Sequence, residues 1–547
     1  MKTFKYILTL FIAVIVMSCY EDKGNYIYDE SIYDISVKLK SSYGLRKVGD
    51  LIQYTITPEI ETVDGDKSYL EYLWIMRNNK TGMEDTLCLT EQADIEIDPN
   101  ASDYSNSYDL LFYVTDTKTG GLTMVPTKIE LIAPYSYAWA ILHEVDEHAE
   151  LGTVEYVGSD MVVVADAYTQ ERKKSLSGKP INLSFVKNNI SSSYWFGSEC
   201  PAQLYLTTTV PEESGWYEQS THFELMGSWS ELIWYTLAGE FDPENMQTSG
   251  DDLGLLVASK GNVFRSCANS PVLFKAIPSS TSTLEGDYYI TKCLGGPNVC
   301  LAYDELGHRF VTILAGWQYS WYSYPYYEQA GGDITPLRNA VDNAADPNNL
   351  PEGEKVINLI NGYYYDRANP LANWQRYSAY AYSLGNDGKS HVYVFRYYNI
   401  ASGGEGEPPM PYLFTFDTPE GINENTPMTS SWEYNNILFY AVGNKVFKLD
   451  FAAGQSTLIY THPDNAAEIV DLKMAIEGYV DAGDFGDSSL YGHPYSRCLG
   501  VAVNTSDGKG ELVVLQLNSA GKVDSDKKFP SVQEHKGFGK ITEIAFF

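Results

Sequence analysis

From Pro134 to Phe547, short strand-like runs recur between turn residues, and sustained helical periodicity is nearly absent. Tyr137–His143, Leu151–Val157, Met161–Ala165, Leu253–Ala258, Asn262–Arg265 and Val299–Tyr303 are early runs. His391–Tyr397, Tyr412–Phe416, Ile437–Val442, Lys445–Asp450 and Leu499–Asn504 follow. Side chains change face at every residue of a strand, so such runs between turn residues predict strands. One unit recurs: Leu255-Leu-Val-Ala-Ser-Lys-Gly-Asn-Val-Phe-Arg265 aligns with Leu438-Phe-Tyr-Ala-Val-Gly-Asn-Lys-Val-Phe-Lys448. Each is an apolar strand, a tight Gly/Asn turn, then Val-Phe and a basic residue, which predicts a β-hairpin. Cys300–Phe310 is a looser third copy. A second element, Glu468–Met474, pairs in pattern with Thr542–Phe546 and reads as the innermost strand of a blade.

Repeated hairpins without helices predict a β-propeller over residues 134–547. Residues 316–375 read as one long aromatic-rich insertion. What remains suffices for about eight blades of about 45 residues. Long loops bring the expectation to seven, with eight as the alternative. Ile541–Phe546 is expected to pair near Tyr137 and close the ring, since an open sheet edge invites aggregation. A row of further sandwiches is the competing architecture.

Residues 34–133 carry a finer alternation, as in Ile35-Val37-Leu39, Ile52-Tyr54-Ile56 and Tyr72-Trp74-Met76, with turn clusters such as Asp64-Gly65-Asp66 between. Short strands at this spacing predict an immunoglobulin-like sandwich, and Trp74 sits mid-strand, where such a fold keeps its large core residue. The chain is thus expected to be all-β. The 44 tyrosines against 21 phenylalanines fit strand preference first, with rings on half-wet surfaces as the alternative.

At the start, Lys2 and Lys5 precede the apolar run Tyr6–Met17. That run is too short to span a bilayer and suits a signal peptide over residues 1–18. Val16-Met17-Ser18-Cys19 resembles the bacterial lipobox, with Met17 where a small residue is usual. The resemblance implies a diacylglycerol and acyl modification, palmitate among it, on Cys19. It also implies a tether over 19–33 and a membrane anchor whose strength grows with every buried CH₂. Glu21-Asp22-Lys23 resembles the surface-export signal of Bacteroidota lipoproteins. The run Cys19-Tyr-Glu-Asp-Lys-Gly-Asn-Tyr-Ile-Tyr28 resembles the N-terminus of the PKD-like lipoproteins of Bacteroidota. Tyr108–Asp116, ending Val-Thr-Asp, resembles the closing strand of PKD domains. The resemblance implies an outer-membrane protein facing the cell exterior. Such a protein would accompany a SusC/SusD-type importer and bind an oligopeptide or glycan.

The formal net charge of −34 becomes two units more negative if Lys2 and Lys5 are removed. Such a chain repels phosphate backbones, which argues against nucleic acid as a partner. Aromatic residues at 14% argue against disorder.

For chemistry, a Gly-x-Ser-x-Gly nucleophile elbow is absent. Gly404-Glu-Gly406 and Gly537-Phe-Gly539 do not complete a phosphate-binding loop. His143-Glu144-Val-Asp-Glu147-His148 misses the zincin pattern, because its second His falls at i+5. Asp481, Asp484 and Asp487 form a Gly-rich acidic loop with oxygen ligands of the kind Ca²⁺ takes. Its spacing matches no EF-hand, and a solvated turn is the ordinary reading. No resident cofactor is indicated.

Six cysteines remain beside Cys19. Cys293 and Cys300 flank a Gly-Gly-Pro-Asn turn, which raises a hairpin disulfide against buried thiols. The segment Trp317, Tyr319, Trp321, Tyr322, Tyr324, Tyr326 and Tyr327 is the densest aromatic cluster, with Trp374 placed to join it. Such rings stack on sugars or hold peptides, or pack on the propeller itself. A binding protein is therefore expected. A propeller-based glycan hydrolase or lyase using paired carboxylates, and a structural scaffold of the importer, are the alternatives.

Overall fold

A computed structural model describes residues 35–547, apart from the stretches 187–202, 315–330, 338–345, 365–376, 398–411 and 477–494 and several shorter ones. The chain divides into two compact units, 1–131 and 132–547.

In the first unit, a five-stranded sheet centres on Ser107–Asp116, between Leu70–Asn78 and Leu122–Ile132. Two two-stranded sheets accompany it, one of them pairing Ile52–Ile56 with Ala93–Ile97. Period-two patterning explains the pairing. Tyr108, Leu110, Phe112 and Val114 are buried on one face of their strand. Trp74 is fully buried opposite Phe112, with ring centroids 4.2 Å apart. The expected sandwich core residue is in place.

In the second unit, seven sheets of four or five strands follow one another, so the fold is an all-β propeller of seven blades among the described residues. Each blade is an antiparallel meander with its first strand innermost. The inner strands of blades two to seven are Pro180–Val186, Met246–Gly250, Ile290–Gly296, Lys355–Tyr363, Met428–Thr429 and Glu468–Met474. Blade one takes its inner strand, Lys540–Phe546, from the end of the chain and its outer three from Ala138–Val145, His148–Val157 and Asp160–Val164. Each inner strand packs on the next, and Glu468–Met474 packs back on Lys540–Phe546, which closes the ring. Trp139 pairs with Phe546 and Ile141 with Ile544 in that closure. Seven apolar clusters alternate with the seven sheets, each built from two adjacent blades. Burial on both faces explains why blade strands read as near-continuous apolar runs.

The recurring sequence hairpin is the middle hairpin of blades three, four and six. Its turns need left-handed backbone: Lys260 and Gly261 take φ of 47° and 77°, and Gly443 takes 57°.

Two expectations are corrected. Residues 316–375 are not one insertion: Asp333–Pro336 is an outer strand of blade four and Lys355–Tyr363 is the inner strand of blade five. Cys293 and Cys300 do lie on one hairpin, but its register sets Cys293 opposite Ala302 and Cys300 opposite Gly295. The two sulfurs are therefore not bonded to each other.

Candidate functional site

The inner strands place a repeated set of polar side chains at the propeller axis. In five of them the pairing register slips by one residue, at Ile181, Thr291, Ile357, Val470 and Thr542. A bulge of this kind re-aims the following side chain. That next residue is polar every time: Asn182, Lys292, Asn358, Asp471 and Glu543.

Most of these side chains staple one blade to the next. Asp471 Oδ2 accepts from the Ile544 backbone N–H at 3.0 Å, and Glu543 Oε2 from Leu183 N–H at 2.7 Å. On blade three, Gln247 Oε1 accepts from Cys293 N–H at 3.1 Å, and Ser249 Oγ from Gly295 N–H at 3.1 Å. Asn358 Nδ2 donates to Met428 O at 3.4 Å. Lys473 Nζ lies 3.8 Å from Glu543 Oε1, so the acidic sector of the axis is partly neutralised.

Lys292 departs from the pattern. Burial pushes its ammonium below the ordinary lysine value, with the Glu305 charge opposing that shift. Among the described residues no ion pair or hydrogen bond engages it. Asp471 and Glu543 fall within the two segments read from the sequence as innermost strands, whereas Asn182, Lys292 and Asn358 lie outside every motif picked there. The signal was an apolar–polar–apolar triplet, as in Ile181-Asn182-Leu183 and Ile357-Asn358-Leu359.

Away from the axis, polar clusters lock blade edges. Glu354, just before the inner strand of blade five, accepts from Tyr393 OH at 2.9 Å and lies 3.1 Å from His391 Nδ1; Ser383 Oγ bonds the same oxygen. Its other oxygen is buried without a partner.

His143, the head of the zincin near-miss, is buried. Its Nδ1 accepts from Gly539 N–H at 3.0 Å and its Nε2 meets Ala165 O at 2.8 Å. This fixes a neutral ring with the proton on Nε2. Asp146 and Glu147 form the hairpin turn, at φ of 50° and 67°. Among the described residues no group of three His, Cys, Asp or Glu is placed to hold a metal ion.

Cys19, Trp317, Tyr319, Trp321, Tyr322, Tyr324, Tyr326, Tyr327, Trp374, Asp481, Asp484 and Asp487 lie outside the described residues. The strand ends that flank them can still be placed. Leu314 ends the third strand of blade four, Tyr363 the first of blade five and Met474 the first of blade seven. In an antiparallel meander repeated around a ring, first and third strands end on the same face. Leu314, Tyr363 and Met474 therefore end their strands on one face of the propeller.

Comparison with solved structures finds several distant likenesses. A quinoprotein alcohol dehydrogenase-like protein from Bacteroides thetaiotaomicron is similar at 12% identity, over 94% of this chain and 99% of its own, with a TM-score of 0.40. A putative 6-phosphogluconolactonase from Bacteroides uniformis is similar at 10% identity, over 87% and 99%, with a TM-score of 0.28. The WD40 domain of SCAP from fission yeast is similar at 10% identity, over 68% and 75%, with a TM-score of 0.30. No curated protein matches. No described helix is long and apolar enough to cross a membrane. Residues 19–180, from Cys19 through the sandwich and the outer strands of blade one to the edge of blade two, match the model of the PKD-like family, and that part of the chain is PKD-like.

Proposed function

We propose that the chain is a lipid-anchored protein of the outer membrane, facing the cell exterior, that serves a SusC/SusD-type importer by capturing oligopeptides or glycans. The observation that carries this reading is where the PKD-like match begins: on Cys19, the residue that follows the signal-like segment. A cysteine at that position receives acyl chains, and each buried CH₂ adds about 0.8 kcal/mol to membrane binding. The sandwich then spaces the propeller from the bilayer. The propeller supplies inner strands that carry polar side chains, and the sequence supplies aromatic residues of the kind that ligand sites use.

The test joins three measurements on the native host. Metabolic labelling with an alkyne palmitate analogue is expected to mark the wild-type protein and leave Cys19→Ala unmarked. Protease added to intact cells is expected to degrade the wild type. Purification from solubilised membranes is expected to bring down a large barrel-type importer. An unlabelled wild type, or one that protease leaves untouched, would overturn the proposal.

A further inference from the structure

The two sides of the sandwich treat water differently. On the two-stranded sheets the outward residues are polar and paired across strands. Thr55 Oγ1 donates to Asp94 Oδ1 at 2.6 Å, Gln53 Nε2 to Glu96 Oε2 at 3.3 Å and Lys38 Nζ to Glu61 Oε1 at 2.9 Å. The five-stranded sheet does the opposite. Its inward residues fill the Trp74 core, and the outward residues between them, which stand outside that core, are again apolar. Two cross-strand rows, Leu73–Tyr113–Met124 and Ile75–Leu111–Pro126, lie side by side on this outer face. Met124 is 51% exposed, and Leu122 next to it 63%. An antiparallel sheet with one face in water keeps polar residues there, so an apolar outer face marks a surface that meets a partner.

The pattern of the face says which partner. One further row bounds the apolar pair at each end: Glu71–Thr115–Leu122 and Arg77–Asp109–Lys128. The four rows are symmetric about the line through Trp74, Phe112 and Val125, which are themselves opposite one another on the three strands. A two-fold axis along that line, between two such faces, lays each apolar row on the other and each end row on the opposite end row. Glu71 then meets the partner's Arg77, Asp109 meets the partner's Thr115 hydroxyl, and the Lys128 stem covers the partner's Leu122. An interface between identical copies needs this self-complementarity. The Arg77 charge is available for it: Nη1 lies 4.0 Å from Glu84 Oε1, and both side chains are more than half exposed. Seven residues of strand across a five-stranded sheet offer roughly 500–600 Å² per copy, which suits a reversible dimer and falls short of an obligate one.

From this we propose that the outer face of the five-stranded sheet is a symmetric interface between two copies of this chain. The assignment needs neither the lipid anchor nor a captured ligand. A dimer of this kind carries two propellers, so any ligand with two epitopes gains avidity from it.

The experiment is sedimentation equilibrium on the full chain in density-matched detergent, at several protein concentrations. A monomer–dimer equilibrium is expected. Met124→Glu is expected to weaken it at least about tenfold, since a charge then faces an apolar surface. Glu71→Arg and Arg77→Glu are each expected to weaken it by a similar factor, because like charges then meet at both ends. Mixing these two single variants is expected to restore dimers, since opposite charges then meet at both ends again. The double variant Glu71→Arg, Arg77→Glu is expected to do the same. Glu71, Arg77 and Met124 are exposed, so all variants should melt with the wild type. Chains that only share a micelle would not respond to the charge swaps. A monomer at every concentration would overturn the proposal, as would a dimer indifferent to Met124→Glu or single variants whose mixture stays monomeric. A monomer that co-purifies with a membrane protein, and loses it on Met124→Glu, would give the face to that protein and likewise overturn the dimer.

Discussion

Tyrosine shows how residue chemistry shapes this molecule. Tyr380, Tyr382, Tyr393, Tyr397 and Tyr434 are among its largest fully buried side chains. Their rings fill the clusters between blades and most of their hydroxyls find polar partners: Tyr397 OH reaches Asn361 Oδ1 at 2.8 Å and Gly295 O at 3.1 Å, and Tyr382 OH reaches Ser390 Oγ at 2.6 Å. Burial pushes Tyr303, Tyr382 and Tyr495 up to about 12. Strand preference and core filling therefore account for many of the tyrosines. Such packing needs room opposite each ring. A Cβ on Gly362 would meet the Tyr380 ring at 2.1 Å. Gly362→Ala is expected to cost about 1–3 kcal/mol, read by denaturant unfolding, because the fully buried ring cannot step aside.

Two histidines give stability a pH dependence at the same scale. Burial lowers His143, and lowers His535 to about 4. The unfolded chain takes up these protons first as pH falls. The contribution is therefore whole above about pH 6.5 and is lost between there and about pH 4. Melting temperatures measured from pH 7.5 to 4 should fall over that window. His535→Gln should flatten the decline, by at most about 1.4 kcal/mol per pH unit.

At the scale of elements, the bulged inner strands do two jobs, turning a polar side chain to the axis and tying each blade to its neighbour. Asp471→Ala leaves the Ile544 N–H without its acceptor and is expected to cost about 1–3 kcal/mol. Asp471→Asn keeps an acceptor and should recover much of that loss. The middle hairpins are legible in the sequence because a tight turn demands Gly or Asn between apolar strands. The fourth blade's outer strand and the fifth blade's inner strand are hidden within 316–375. Asp333–Pro336 is only four residues, and Lys355–Tyr363 is buried on both sides and lacks alternation. The axial residues are hidden for a related reason. A bulge breaks the period of two, so Asn182 or Asn358 follows an apolar residue without looking like part of a pattern, and Asp471, though inside a segment read as an inner strand, shows no role there. The hydrogen bonds that give Asp471 its role come from another blade 73 residues away.

At the scale of the whole molecule, each unit carries its own core: one cluster around Trp74 and Phe112 in the first, seven inter-blade clusters in the second. Calorimetry of the full chain is expected to show a transition for each, and residues 132–547 alone should keep the propeller's transition. Removing Lys540–Phe547 takes away the inner strand of blade one and the partner of Ala138–Val145. The shortened chain is expected to aggregate on size-exclusion chromatography and to lose its cooperative melting, since the edge of Ala138–Val145 is bared and the two apolar clusters that the last strand helps to fill are opened.

The same shared blade sets an order of events during synthesis. The sandwich has all its strands once the first quarter of the chain has emerged. Blade one waits for the final residues, and Gly539, which His143 grips, lies beside them. Until translation finishes, Ala138–Val145 keeps a bare flank, and every later blade forms in an open arc. A chain built this way depends on protection while it is made, and a stop that removes the last strand yields no closed ring.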